Sequence, residues 1–194
     1  MRHELVILLI GVAYALTFRL LAWLRREPFS LQFILESMGL TAVAVLLSFL
    51  SVARLNPILF LVLLYLLTMR SPLLVDLANV VARSGRFALA EKLYSLAGRL
   101  WPDVPACLAI AMNHGAALVL QGRLPEAISL LERVLETPEL SPKHAAATHY
   151  NLGVAYRNQG EMQKSNDHLL AAIEAFPGSI YARHAEAMLK KHSG

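Results

Sequence analysis

The side chains of this 194-residue chain that could do chemistry are seven histidines, one cysteine and fourteen carboxylates, and they form no catalytic pattern. His144 and His149 are five residues apart, off a single helix face, and no other His or Cys stands at metal-ligand spacing. The phosphate-binding G-x-x-x-x-G-K-[ST], the nucleophile G-x-S-x-G and the zinc H-E-x-x-H are all missing from the sequence. Cys107 has no disulfide partner and reads as a small buried apolar residue on a helix. Glu126, Glu132, Glu136 and Glu139 read as a solvated helix face. One carboxylate stands out. Glu36 lies in the first turns of an apolar run, where it either stays near lipid headgroups or serves as a buried functional acid, since a charge at membrane depth is costly and rarely without purpose. The expectation is a chain with no enzymatic activity, no metal and no cofactor.

The elements that would position these residues divide the chain in two. Hydrophobic residues make up 56% of it, above the usual globular range, and the excess lies in residues 1–70. Three apolar runs, 5–24, 31–53 and 57–69, are expected to be helices. The first is twenty residues, enough for a bilayer core of about 30 Å, with Arg19 and Trp23 at one interface. It continues past the cleavage-like Ala13-Tyr14-Ala15, so a retained span is expected rather than a cleaved leader. Asn56 and Pro57 are N-cap and first-turn residues that start the third run, which at thirteen residues is a short span. Residues 1–70 carry six basic and three acidic groups, net +3, out of a total net charge of +4. This is loop charge that orients membrane segments rather than a nucleic-acid footprint, so no nucleic-acid partner is expected. Arg25 and Arg26 in the first loop, with Arg70, Arg83 and Arg86 after the third run, place the first loop and the C-terminal region in the cytoplasm. Thirteen Arg against five Lys fits a GC-rich bacterial source, hence a bacterial plasma membrane.

Residues 71–194 change character. Turn glycines Gly85, Gly122 and Gly160 recur 37 and 38 residues apart, and small residues such as Ala90, Ala127 and Ala172 follow in the next helical segments. Glycine permits a tight helix-to-helix turn, and alanine lets paired helices approach closely. The third copy is the clearest: in "HYNLGVAY", Leu152, Gly153 and Tyr156 precede Gly160, Ala172 and Pro177. This spacing resembles the W-x-x-L-G-x-x-Y core of the tetratricopeptide repeat (TPR), with His149 in place of Trp and Ser165 in place of Ala. The expected repeats are 71–104, 108–141 and 146–179, with insertions at Asp103–Pro105 and Ser141–His144 and a capping helix at 180–192. The fold expected is all-α: N-terminal transmembrane helices, then a short TPR solenoid with its cap.

The resemblance implies a concave groove formed by the first helix of each repeat, and it points to Asn79, Arg83, Met112, Asn113, Ala116, Val119, Tyr150, Val154, Arg157 and Asn158 as partner-binding positions. Asn79 and Asn113 match the two asparagines with which some relatives clamp a C-terminal carboxylate, but the cation positions hold Val75, Ala147 and Asn151, so carboxylate capture is not expected. The function implied is a membrane-anchored adaptor that holds a protein partner in the groove and the bilayer through residues 5–69. The alternative is a small structural subunit of a larger membrane complex.

Overall fold

The computed structural model describes residues 3–24, 30–50, 52, 55–138 and 140–190. Arg25, Arg26, Arg54, Glu139 and the part of the expected capping helix past Lys190 lie outside these. Among the described residues all regular structure is helical: α1 (His3–Leu24), α2 (Leu31–Phe49), α3 (Pro57–Thr68), α4 (Arg70–Arg83), α5 (Phe87–Arg99), α6 (Val104–Leu120), α7 (Leu124–Leu135), α8 (Pro142–Gln159), α9 (Met162–Ala175) and α10 (Ile180–Lys190).

The first three helices form an up-down-up bundle. Ser30 caps α2 by accepting from Phe33 N–H, and Asn56 caps α3 by accepting from Ile58 N–H at 2.9 Å. The α1–α2 seam is built of small residues: Gly11 and Ala15 on α1 face Ser37, Thr41, Ala44 and Ser48 on α2. A Cβ at Gly11 would land on the Thr41 side chain, so only glycine permits this approach. The Thr41 hydroxyl is satisfied by Ser37 C=O at 2.7 Å. Outward, the three helices present exposed Leu9, Leu16, Leu35, Leu46, Ile58 and Leu66. By length and composition, α1 and α2 are apolar enough to cross a membrane. The apolar run read as a helix over 31–53 stops at Phe49, with Leu50 as its C-cap. The third run breaks at Met69, and α4 follows at once, bent 71° from α3.

Three antiparallel hairpins, α4–α5, α6–α7 and α8–α9, then stack, and α10 closes the end against α8 and α9. Each hairpin turns on a glycine in the left-handed region, Gly85, Gly122 and Gly160, with φ of 78°, 77° and 90°. Ala90, Ala127 and Ala172 are completely buried where the paired helices meet. The segments expected as insertions are instead first turns of longer helices: Asp103 caps α6 through Ala106 N–H at 2.9 Å, and Ser141 caps α8 through His144 N–H at 3.3 Å. Cys107, expected to be buried, is exposed on the first turns of α6 with Sγ 3.8 Å from Pro102 C=O. Length and composition would also admit α6 as a span, but it is packed against α4, α5, α7 and α8, and its apolar character is that of the central helix of the stack.

Candidate functional site

The apolar bundle and the stacked hairpins meet around one cation. Arg70 starts α4, and its guanidinium donates to both oxygens of Glu36, at 2.5 and 2.8 Å, and to the carbonyls of Leu67 (2.7 Å), Leu100 (2.8 Å) and Trp101 (3.1 Å). Gln32 completes the set, donating to Glu36 at 2.9 Å and to Trp101 C=O at 2.7 Å. Four chain segments are thereby joined: the first turns of α2, the end of α3, the start of α4 and the α5–α6 loop. Glu36 is engaged by two residues through three hydrogen bonds, which weighs against the free functional acid considered from the sequence. Beside the cluster opens a cleft of about 560 Å³. Phe18 and Phe33 of the apolar helices form one wall, and Asp76, Ala109 and Lys143, from the first helices of the three hairpins, form the other.

The residues expected along the groove do not form one exposed surface. Asn79 and Asn113 do meet, because Asn79 Nδ2 donates to Asn113 Oδ1 at 2.9 Å. Tyr94 O–H donates to Asn79 Oδ1 at 2.6 Å, and Asn113 Nδ2 donates to Ala109 C=O at 2.7 Å. Burial pushes the Tyr94 phenol up to about 12, so it stays a donor throughout the physiological range. The two amides thus form a ladder between neighbouring hairpins. Met112 and Val119 are buried, Met112 with Val134 and Ala147, Val119 with Leu131 and Leu152. Ala116 and Val154 are half-buried. The Tyr150 ring lies 6.1 Å from Tyr181 and 5.8 Å from His184, under α10. Arg157 is half-buried, while Arg83 and Asn158 are exposed at the far ends of α4 and α8. The junction cleft lies at the other end of these helices, and the groove positions did not include the residues that line it.

A family model described as tetratricopeptide repeat matches residues 69–139 and 107–178, more than half of the chain. The chain belongs to the tetratricopeptide-repeat family. No curated protein and no solved structure matches it. TPR arrays are in general protein-binding scaffolds without catalytic activity, and among the described residues no group of three His, Cys, Asp or Glu could hold a metal ion.

The TPR frame also shows what replaced the usual tryptophan of the third repeat. His149 on α8 and His168 on α9 face each other with their Nδ1 atoms 3.0 Å apart, so one ring must donate to the other. His168 stacks on Tyr156, with ring centroids 5.4 Å apart and planes 7° apart. Lys164 Nζ lies 5.1 Å from the centre of the Tyr156 ring, and the Tyr156 hydroxyl donates to Glu132 at 2.7 Å. Burial lowers the pKa of both imidazoles, and His168 lowers that of His149 further. The unfolded chain then binds protons more readily than the folded one as pH falls through the ordinary imidazole range near 6.5. The stability contribution of the neutral pair is complete above that range and is lost as pH falls toward the depressed folded values. Unfolding midpoints measured between pH 8 and 5 should therefore drop toward acid, and His149→Trp should flatten the drop. An equal slope in the variant would remove the pair as its source.

Proposed function

We propose that this protein is a membrane-anchored TPR adaptor that receives a protein partner at the junction cleft, on the cytoplasmic face of a bacterial plasma membrane. The observation that carries this reading is the shared cleft: apolar helix ends and the first turns of three TPR helices line one space. A partner segment leaving the bilayer could enter it with its apolar part against Phe18 and Phe33 and its polar part against Asp76 and Lys143. The exposed leucines of α1–α3 have no stabilising surroundings in water and suit hydrocarbon. The Glu36–Arg70 pair brings the end of α3 to the start of α2, so α3, though short, returns the chain to the side of the first loop. That supports the orientation expected from Arg25 and Arg26, which puts the repeats in the cytoplasm.

The test is a photo-crosslinking amino acid placed singly at Ala109, in the cleft, and at Asn158, at the far end of α8, in cells producing the full chain. Membranes irradiated with the Ala109 probe should yield one discrete protein adduct, absent or much fainter with the Asn158 probe. An adduct from Asn158 alone, or none from Ala109, would overturn the cleft as the partner site.

A further inference from the structure

Trp101 combines two features that do not normally coexist. It is the one non-glycine residue with positive φ among those described, at 48°, a conformation that an L-residue adopts only at an energetic cost. Yet its side chain gains no packing in return, being 81% exposed. The backbone is held in place by three hydrogen bonds to the Leu100 and Trp101 carbonyls, donated by Arg70 and Gln32. Those donors mark a level in the molecule. Gln32 is in the first turn of α2, just after the Ser30 cap, and Arg70 follows the end of α3. This is where the exposed apolar surface of the bundle stops. The loop thus presents a bare indole at the height where the apolar helices end.

The neighbouring residues have the same character. Leu96 and Val104, on either side of the loop, are exposed large apolar side chains, and Arg99 between them is an exposed cation. The 71° bend between α3 and α4 lays the first hairpin closer to the plane across the bundle axis than to the axis itself. Its second helix therefore returns the chain to the bundle end instead of carrying it away. An indole, with its apolar body and single N–H donor, is the side chain best matched to the headgroup layer of a bilayer.

We infer that the Leu100–Asp103 loop is a further attachment to the bilayer, seating Trp101 in the phospholipid headgroup layer beside the first-loop ends of α1 and α2. The inference rests on the membrane reading proposed above. The strain at Trp101 and the Arg70–Gln32 hydrogen bonds serve to aim the indole at lipid, and Arg99 lies where it meets lipid phosphate.

The chain has only two tryptophans, which makes the inference directly measurable. Trp23→Phe leaves Trp101 as the sole emitter, and Trp101→Phe leaves Trp23. Both variants are reconstituted as full chains in phosphatidylcholine vesicles, with far-UV circular dichroism to check the helical fold. The expected result is that Trp101 emission is quenched by phosphatidylcholine brominated high on the acyl chain and is shielded from aqueous iodide. Quenching of Trp101 by iodide but not by brominated lipid, with Trp23 quenched by lipid, overturns the inference and leaves the membrane reading intact. Shielding of Trp101 from both quenchers means that protein covers it, which also overturns the inference. If neither tryptophan responds to brominated lipid, the membrane reading itself falls.

Discussion

Arg70→Ala should destabilise the full chain in mild detergent by about 2 kcal/mol and expose the peptide bond after Met69, at the break between α3 and α4, to protease. Arg70 and Glu36 remain 24% and 30% exposed, so the ion pair alone is screened and contributes little. The larger share comes from the part-buried bond to the Leu100 carbonyl, which loses its charged donor at about 1 kcal/mol or more, whereas water can replace Arg70 at the exposed bonds to Leu67 and Trp101, and Trp101 also keeps Gln32. Arg70→Lys should rescue little, because an ammonium cannot grip a carboxylate with two parallel bonds while reaching three carbonyls. Glu36→Gln keeps one acceptor for Arg70 and should be milder than Arg70→Ala. Thermal unfolding and limited proteolysis read all three variants. If Glu36→Gln abolished partner capture with stability unchanged, Glu36 would be a functional carboxylate and not a strut.

The second large effect lies at the centre of the stack. Leu131 is fully buried, and a Cβ built on Gly115 would sit 2.7 Å from its Cδ2 and Cγ. Leu131→Ala should cost about 3 kcal/mol, since the site opens a cavity between α6 and α7. Gly115→Ala should cost about 1–3 kcal/mol, because the new methyl meets the leucine head-on. In the double variant the methyl enters the vacated space, so the combined loss should fall short of the sum by at least about 1 kcal/mol. Denaturant unfolding of the four proteins completes the cycle. Strict additivity would mean that Gly115 and Leu131 do not meet in solution.

Features with a local period are legible in the amino-acid sequence. The turn glycines, the buried alanines and the three apolar runs follow from spacing along one helix. Helix ends are less legible. Apolar composition continues past Phe49, so nothing in the run marks where α2 stops. The starts of α6 and α8 do carry a signal, which a fixed 34-residue repeat length obscures by making them insertions. An Asp two residues before a Pro, and a Ser just before one, are N-cap patterns.

The site is least legible, because its contacts are long-range. Glu36 and Arg70 are 34 residues apart, as are Asn79 and Asn113, and only packing between separate helices brings each pair together. The groove positions implied by the resemblance assume an open concave face. Here α10 covers Tyr150, and Met112 and Val119 turn into the core. The residues that open on the cleft, Asp76, Ala109 and Lys143, are 33 and 34 residues apart, about one repeat, but they share no residue type that would mark them as a site.

The bend after Met69 also sets the height at which the protein works. At 71° to α3, the roughly 21 Å of α4 gains only about 7 Å along the bundle axis. With the apolar helices in a bilayer, as proposed, the first hairpin lies within a layer about one helix diameter thick instead of projecting into solution. A partner confined to the same membrane then shares a thin slab with the cleft. Encounter becomes a two-dimensional search, and a weak contact gains from the high effective concentration that such confinement provides.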